Sequence, residues 1–269
     1  MKRGLTSWMK AAADVLLPRV CVVCGGRLLL SERHICLNCL ADMPLTRFWT
    51  MPHNPMADRF NLLIQKDKEK SVKDGCLEEG WSRERYAYAA ALFIYREDGD
   101  YRRIPHQIKY HGNIPLGRYF GKMLGHKLKE SELFKDVDLV TPVPLHWMRR
   151  WKRGYNQAEV LAGEVAAALG ARMDVTTLSR HRWTSTQTKL GIEEKAANVK
   201  GAFKVSNVSA EKKRCPEMKT ELASVRHILL IDDVFTTGST LMACFTALRS
   251  VFPPSVRISI ATLAFVGEA

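Results

Sequence analysis

Residues 228–240 read Ile-Leu-Leu-Ile-Asp-Asp-Val-Phe-Thr-Thr-Gly-Ser-Thr. The four aliphatic residues suit a strand buried on both faces of a parallel sheet. Beyond the loop, Leu241, Phe245 and Leu248 recur at i, i+4 and i+7, the spacing of a helix packed on that strand. The loop therefore opens a helix, where free N–H groups and the helix dipole attract an anion. Gly238 lets the backbone approach a ligand closely, and Thr236, Thr237, Ser239 and Thr240 add hydroxyl donors. Two acids, Asp232 and Asp233, beside a phosphate cradle repel an anion unless something positive or rich in hydroxyls lies between. A sugar phosphate carrying bound Mg²⁺ meets that need. A plain strand-to-helix turn also tolerates an acid, but it does not call for two acids, two hydroxyls, a Gly and two more hydroxyls in that order.

Working outward, strands are expected over Tyr86–Tyr95, Asp138–Val143, Ala202–Val205 and Val256–Leu263, and helices over Tyr101–Tyr110, Leu116–Lys129 and Glu159–Leu169. Their alternation predicts an α/β fold, a mainly parallel sheet flanked by helices. Met51–Ser82 is polar and reads as linker and surface elements, and Ser206–Arg226 as an exposed charged insertion. After the strand ending at Val143 come Pro144, Leu145 and His146, then Arg149, Arg150, Lys152 and Arg153, then a second helix start in RGYNQAEVLA (153–162). In open α/β sheets ligands bind at the carboxyl ends of strands. Both loops lie at such ends, so a basic cluster and a helix-start loop can hold the two ends of a doubly phosphorylated sugar.

The chain has 269 residues and a formal net charge of +13. The charge implies anionic partners such as phosphates, nucleotides or nucleic acid. From Arg102 to Arg153 there are twelve Lys and Arg against four Asp and Glu, which concentrates the excess. No apolar run reaches the roughly 18 residues of a membrane span, and a cytoplasmic protein is expected. Leu5, Trp8, Met9, Ala12 and Leu16 share one helical face ahead of Pro18, so a short amphipathic helix is expected there rather than a signal peptide. Cys21, Cys24, Cys36 and Cys39 form two C-x-x-C pairs separated by eleven residues. Two such knuckles give the tetrahedral thiolate shell favoured by a structural Zn²⁺. A module of about fifty residues has too little core to stand alone, and the metal compensates. Of the remaining cysteines, Cys76 and Cys215 lack metal spacing, and Cys244 falls on the apolar stripe of the helix after the phosphate loop.

The segment with Asp232, Asp233 and Thr236–Thr240 resembles the signature of phosphoribosyltransferases that use 5-phosphoribosyl 1-pyrophosphate (PRPP). The resemblance implies that the two acids contact the ribose hydroxyls and that Thr236, Thr237, Gly238, Ser239 and Thr240 hold the 5-phosphate. With the four-cysteine module, PVPLH (142–146), RGYNQAEVLA, RHRWTSTQT (180–188) and the Asn198–Phe203 segment, most of the chain is similar to the ComF family, phosphoribosyltransferase-like proteins associated with natural competence. By that resemblance Pro144 and Leu145 belong to a pyrophosphate loop. Arg180–Asn198 would be a closing loop that turns Arg182 and Gln187 to the substrate. The implied organisation is a helix and zinc-ribbon-like module (1–50), a linker or hood (51–85) and a phosphoribosyltransferase-like domain (86–269).

Two functions follow as expectations. One is transfer of phosphoribosyl from Mg-PRPP to a small-molecule acceptor, with Arg153 and its basic neighbours neutralising the departing pyrophosphate. The other is a non-catalytic PRPP sensor or single-stranded-DNA-binding protein working with competence proteins, in which Tyr95, Tyr101, Tyr110, Trp147 and Trp151 stack bases.

Overall fold

The computed structural model describes residues 18–73, 84–181, 202–205 and 224–267. Five parallel strands form the central sheet: β1 (Ala89–Tyr95), β2 (Leu139–Pro142), β3 (Arg172–Met173), β6 (His227–Phe235) and β7 (Arg257–Val266), in the order β1–β7–β6–β2–β3. The expected α/β class is therefore observed. β6 lies at the centre because its aliphatic run can be buried on both faces. Leu229 and Ile231 join one apolar cluster, while Ile228 and Leu230 join the other. The strand continues through the acids to Phe235, with Asp232 in register with Thr262.

One face of the sheet is covered by α3 (Arg103–Tyr110), α4 (Ile114–Lys129) and α6 (Gln157–Leu169). Gly112, at φ +65°, makes the turn between α3 and α4. The α4–α6 contact is unusually close. A Cβ on Gly125 would lie 2.8 Å from Ala168 Cβ and 3.1 Å from Glu164 O, and one on Gly121 would lie 3.2 Å from the Leu161 Cα. Backbone thus meets backbone along the helix that opens with RGYNQAEVLA. Gly125→Val should force the helices apart and destabilise the fold by about 1–3 kcal/mol. Thermal unfolding checks this, and an unchanged midpoint would contradict the close packing.

The opposite face is covered by α2 (Pro55–Lys73) and α7 (Ser239–Arg249). Helix α2 corrects an expectation: within Met51–Ser82, read as linker and surface elements, Pro55–Lys73 form a nineteen-residue helix. Met56, Phe60 and Ile64 recur every four residues and are buried, with Phe60 edge-on to Phe245 at 5.8 Å. The charged residues Gln65–Lys70 diluted that stripe because they lie beyond its buried part. Asn54 caps α2 by accepting from Ala57 N–H (2.9 Å) and ties it to the sheet by donating to Ala89 O (3.1 Å).

A second correction concerns β5 (Phe203–Val205). It does not enter the main sheet but pairs antiparallel with β4 (Leu178–Arg180) in a separate ribbon beside α7. Two short α-helices, α1 (Leu37–Ala41) and α5 (Trp147–Arg153), and 3-10 turns at Phe48–Thr50 and Asp100–Arg102 complete the described elements. The expected N-terminal helix with Leu5, Trp8, Met9, Ala12 and Leu16, together with Cys76, Arg182, Gln187, Cys215 and most of Ser206–Arg226, lies outside the described residues. No helix among the described residues is long and apolar enough to cross a membrane.

At the amino edge of the sheet, His227 bonds Asp136 Oδ1 through Nδ1 (2.7 Å) and Ser259 Oγ through Nε2 (2.8 Å). This Asp-His-Ser line resembles a hydrolytic triad only in outline. Ser259 is fully buried and its oxygen accepts the Tyr88 N–H, so the line pins β6 and β7 to the turn before β2.

Candidate functional site

Two strand ends and two helix starts converge at the carboxyl edge of the sheet. β2 and β6 are adjacent: Pro142 is in register with Ile231, and Val143 N–H donates to Ile231 O at 2.8 Å. Pro144 and Leu145 therefore leave the sheet alongside Asp232. Both are half-buried, while His146 is buried and caps α5 by accepting from Met148 N–H. Asn156 closes the same corner. Its amide donates to Val143 O (3.0 Å) and its oxygen accepts the Ala158 N–H that opens α6 (3.1 Å).

On β6 the two acids are unequal. Asp233 is buried; its Oδ1 accepts Val234 N–H at 3.0 Å, and Lys109 Nζ lies 3.1 Å from its Oδ2. Burial raises its affinity for a proton, but the Lys109 charge, with a smaller contribution from Arg153, outweighs this and holds the carboxyl below its usual range. Asp232 is half-buried and engages Oδ1 with Asp233 N–H at 2.8 Å. Burial at the cleft floor and the adjacent Asp233 charge push it up to about 8. Near neutral pH the pair therefore carries its negative charge mainly on Asp233.

The loop beyond the acids has the geometry its composition predicts. Gly238 sits at φ +80° as the N-cap of α7, where Met242 N–H reaches its carbonyl at 2.8 Å. A Cβ there would also come within 2.8 Å of Leu63 Cδ1 and 2.9 Å of Phe235 Cζ, so both conformation and space require glycine. Thr237 and Ser239 hydroxyls meet at 2.9 Å. Thr236 is exposed, and Thr237, Ser239 and Thr240 are half-buried, so the loop's hydroxyls stay within reach of a ligand.

Cations gather opposite. Arg153 bonds Gln157 Oε1 at 3.1 Å and stacks over Tyr110, with its guanidinium carbon 5.3 Å from the ring centre. Arg180 lies over Phe203 at 5.1 Å. Burial, followed by the charge of Arg153, lowers Arg149; burial, followed by the charge of Arg149, lowers Arg180. Cations crowded in this way are relieved by a polyanion. Arg180 also feels the negative charge of Asp232.

Asp232, Asp233, the 236–240 loop, Pro144, Leu145 and Arg153 thus share one edge of the sheet. Sequence reasoning missed Lys109, which carried no local signal because its partner acid is distant along the chain. It also missed the capping role of Asn156, although Asn immediately before Gln-Ala-Glu-Val is a recognisable helix start. Tyr101 proves to be half-buried, with its O–H donating to Cys39 O at 2.7 Å, and Tyr95 packs on the core. Tyr110, Trp147 and Trp151 are exposed.

The four N-terminal cysteines come together as their spacing predicts. All four sulfurs lie within 4.8 Å of one another. Backbone N–H groups of Cys36, Gly26 and Cys39 approach the sulfurs of Cys21, Cys24 and Cys36 at 3.4, 3.4 and 3.5 Å. Four thiolates this close repel unless a cation lies among them, so the donor set fits a metal ion. Glu32 organises the span between the pairs by accepting Leu29 and Leu37 N–H groups at 2.7 and 2.8 Å. Half-buried His34 packs edge-on to Tyr119 at 5.5 Å and stands outside the thiol set. Cys244 is a buried core residue, as its place on the stripe implied.

Among known proteins, the chain is similar to competence protein F of Haemophilus influenzae, 31% identical over 130 residues, which is 48% of this chain and 52% of the relative. It is also similar to the DNA utilization protein YhgH of Salmonella typhimurium and of Escherichia coli K12, 30% and 33% identical over 139 residues, 51% of this chain and 55% of each relative. The chain thus matches about half the length of these curated relatives. No family model matches it. The similarity to competence protein F and the YhgH proteins, with a parallel α/β sheet and an N-terminal four-cysteine cluster, supports the ComF resemblance that the sequence carries.

Proposed function

We propose that the carboxyl edge of the sheet binds Mg-PRPP and transfers its phosphoribosyl group to a small-molecule acceptor with release of pyrophosphate. The observation that carries this reading is the run of two acids and a helix-opening hydroxyl loop on one strand end, facing Lys109, Arg149, Arg153 and Arg180. Thr236, Thr237, Ser239 and Thr240 and the first turn of α7 take the 5-phosphate. Asp232 and Asp233 orient the ribose hydroxyls. The Pro144–Leu145 loop and the arginines take the pyrophosphate, with Arg182 and Gln187 assigned to the same ligand. The bond from C1′ to the pyrophosphate oxygen breaks with its electrons going to the leaving group, and the acceptor's nucleophile bonds to C1′. Positive charge grows on the sugar and negative charge on the pyrophosphate, so the protein acts by positioning and by preorganised charge. Mg²⁺ arrives with the substrate, held by its oxygens, and supplies further neutralisation of the leaving group.

Cys21, Cys24, Cys36 and Cys39 are assigned to a structural Zn²⁺, since a closed thiolate shell leaves no position for water. The relatives' names extend the proposal to a role in DNA uptake or utilisation. A second reading, a PRPP sensor that also holds single-stranded DNA, is favoured by the exposure of Trp147 (66%) and Trp151 (83%) one helical turn apart among basic residues.

A pyrophosphate-release assay with Mg-PRPP and a panel of purine, pyrimidine and amine acceptors, run beside calorimetry, tests the proposal. Acceptor-dependent release establishes a transferase. Binding without release from any acceptor moves the protein to the sensor reading, and absence of PRPP binding overturns both.

A further inference from the structure

Helix α3 is a strut with one end on the four-cysteine module and the other on the acid pair. Just before it, Tyr101 O–H donates to Cys39 O at 2.7 Å, and in its first turn Arg103 Nη1 donates to Val23 O at 2.7 Å. Ile104 and Ile108 are buried in the core shared with Cys21, Val23 and Ile35. One residue past Ile108, Lys109 turns to the other side of the helix and meets Asp233. Eight residues of helix span roughly 12 Å, so the module's grip on α3 sets where the ammonium lies.

Asp233 is held from two sides, by Val234 N–H at Oδ1 and by Lys109 at Oδ2, while Asp232 is the more open of the two acids. The Lys109 side chain keeps 31% of its surface exposed against 7% for Asp233, so the lysine is the more solvent-accessible partner of the pair. A carboxylate inside the sheet edge, beside a second acid, has no other lysine on it among the described ion pairs.

We infer that Lys109 is the positioning residue of the acid pair: it fixes Asp233 in the orientation that receives the ligand, and the four-cysteine module places Lys109 through helix α3. The inference rests on the proposed phosphoribosyl site and adds a residue and a structural route to it.

The experiment measures Mg-PRPP affinity by calorimetry, and thermal unfolding, in the full chain. Lys109→Met should weaken binding at least tenfold, and Lys109→Arg should recover most of the loss because the charge is restored. Asp233→Asn should cost little more in the Lys109→Met background, whereas Asp232→Asn should keep its full effect there. Thermal unfolding should show the same non-additivity between Lys109→Met and Asp233→Asn without any ligand. The route through α3 is tested by Tyr101→Phe with Arg103→Met, which leaves all four thiols in place. Metal content should stay at the wild-type value while affinity falls several-fold, and that fall should vanish in the Lys109→Met background. Wild-type affinity in Lys109→Met overturns the role of Lys109. An equal fall in both backgrounds overturns the route through α3. If the unmodified protein itself does not bind Mg-PRPP, the proposed function is the part that has failed.

Discussion

Asp232→Asn is expected to weaken Mg-PRPP binding while raising the melting temperature, and Asp233→Asn to lower both. The opposite stability effects follow from the unequal surroundings of the two acids. An aspartate in an unfolded chain titrates near about 3.9, whereas burial and the Asp233 charge push Asp232 up to about 8. The unfolded state therefore releases this proton first, and the folded state loses stability as pH rises between those values. Removing the carboxylate removes that loss, so the gain from Asp232→Asn should be largest at pH 8 and shrink toward pH 5. Asp233 has the reverse sign. Its folded carboxyl is held low by Lys109, so its contribution is present above the unfolded value and fades only in acid. Asp233→Asn leaves the Lys109 ammonium facing a neutral amide. For binding, each hydrogen bond involving a charged partner is worth about 1.5–3 kcal/mol, or roughly 10- to 150-fold in affinity. The double substitution should thus reduce affinity by more than roughly a hundredfold. Calorimetry across pH, with unfolding in parallel, measures all four quantities. Unchanged affinity in the double variant would sink the ribose assignment.

Loss of the metal shell should have the largest effect on the fold. A structural Zn²⁺ contributes on the order of 10 kcal/mol of apparent binding energy in small modules. Here the module is not a separable bead. Cys21, Val23, Leu28, Ile35 and Met43 belong to the same apolar cluster as α4, α6 and one face of the sheet. Cys24→Ser leaves that packing in place but opens the shell. The expected result is metal content falling from one ion per chain toward zero and a melting temperature lower by roughly 10 °C or more, given about 2–4 °C per kcal/mol for a chain of this size. Because Tyr101 and Arg103 bond the module's carbonyls, Mg-PRPP affinity should fall with it. A metal-free variant with the wild-type midpoint would show that the thiols are held by packing alone.

What was legible beforehand follows the range of each interaction. The aliphatic run before Asp232, the apolar spacing of α6 and α7, Gly238 and the two C-x-x-C pairs are local patterns, and each reappears in the structure where the sequence placed it. Helix α2 is also a local pattern, but its polar composition masks the spacing. Met56, Phe60 and Ile64 keep helical period through a polar stretch. The ribbon of β4 and β5 was beyond local reading, since three residues with strand character do not say which edge will take them.

By itself, then, the amino-acid sequence determined the α/β class, the geometry of the 236–240 loop after Phe235 and the four-thiol cluster, because these depend on backbone preferences and side-chain chemistry within a few residues. The tertiary structure alone decided that Leu63 packs against Gly238, that Asn156 locks the Val143 corner and that Lys109 pairs with Asp233 and not Asp232. The Leu63 and Lys109 contacts join segments far apart in the chain, and the Asn156 contact bridges the loop and helix between β2 and α6. Their partners are selected by how two layers of helices close on one sheet, and no short stretch of sequence contains that information.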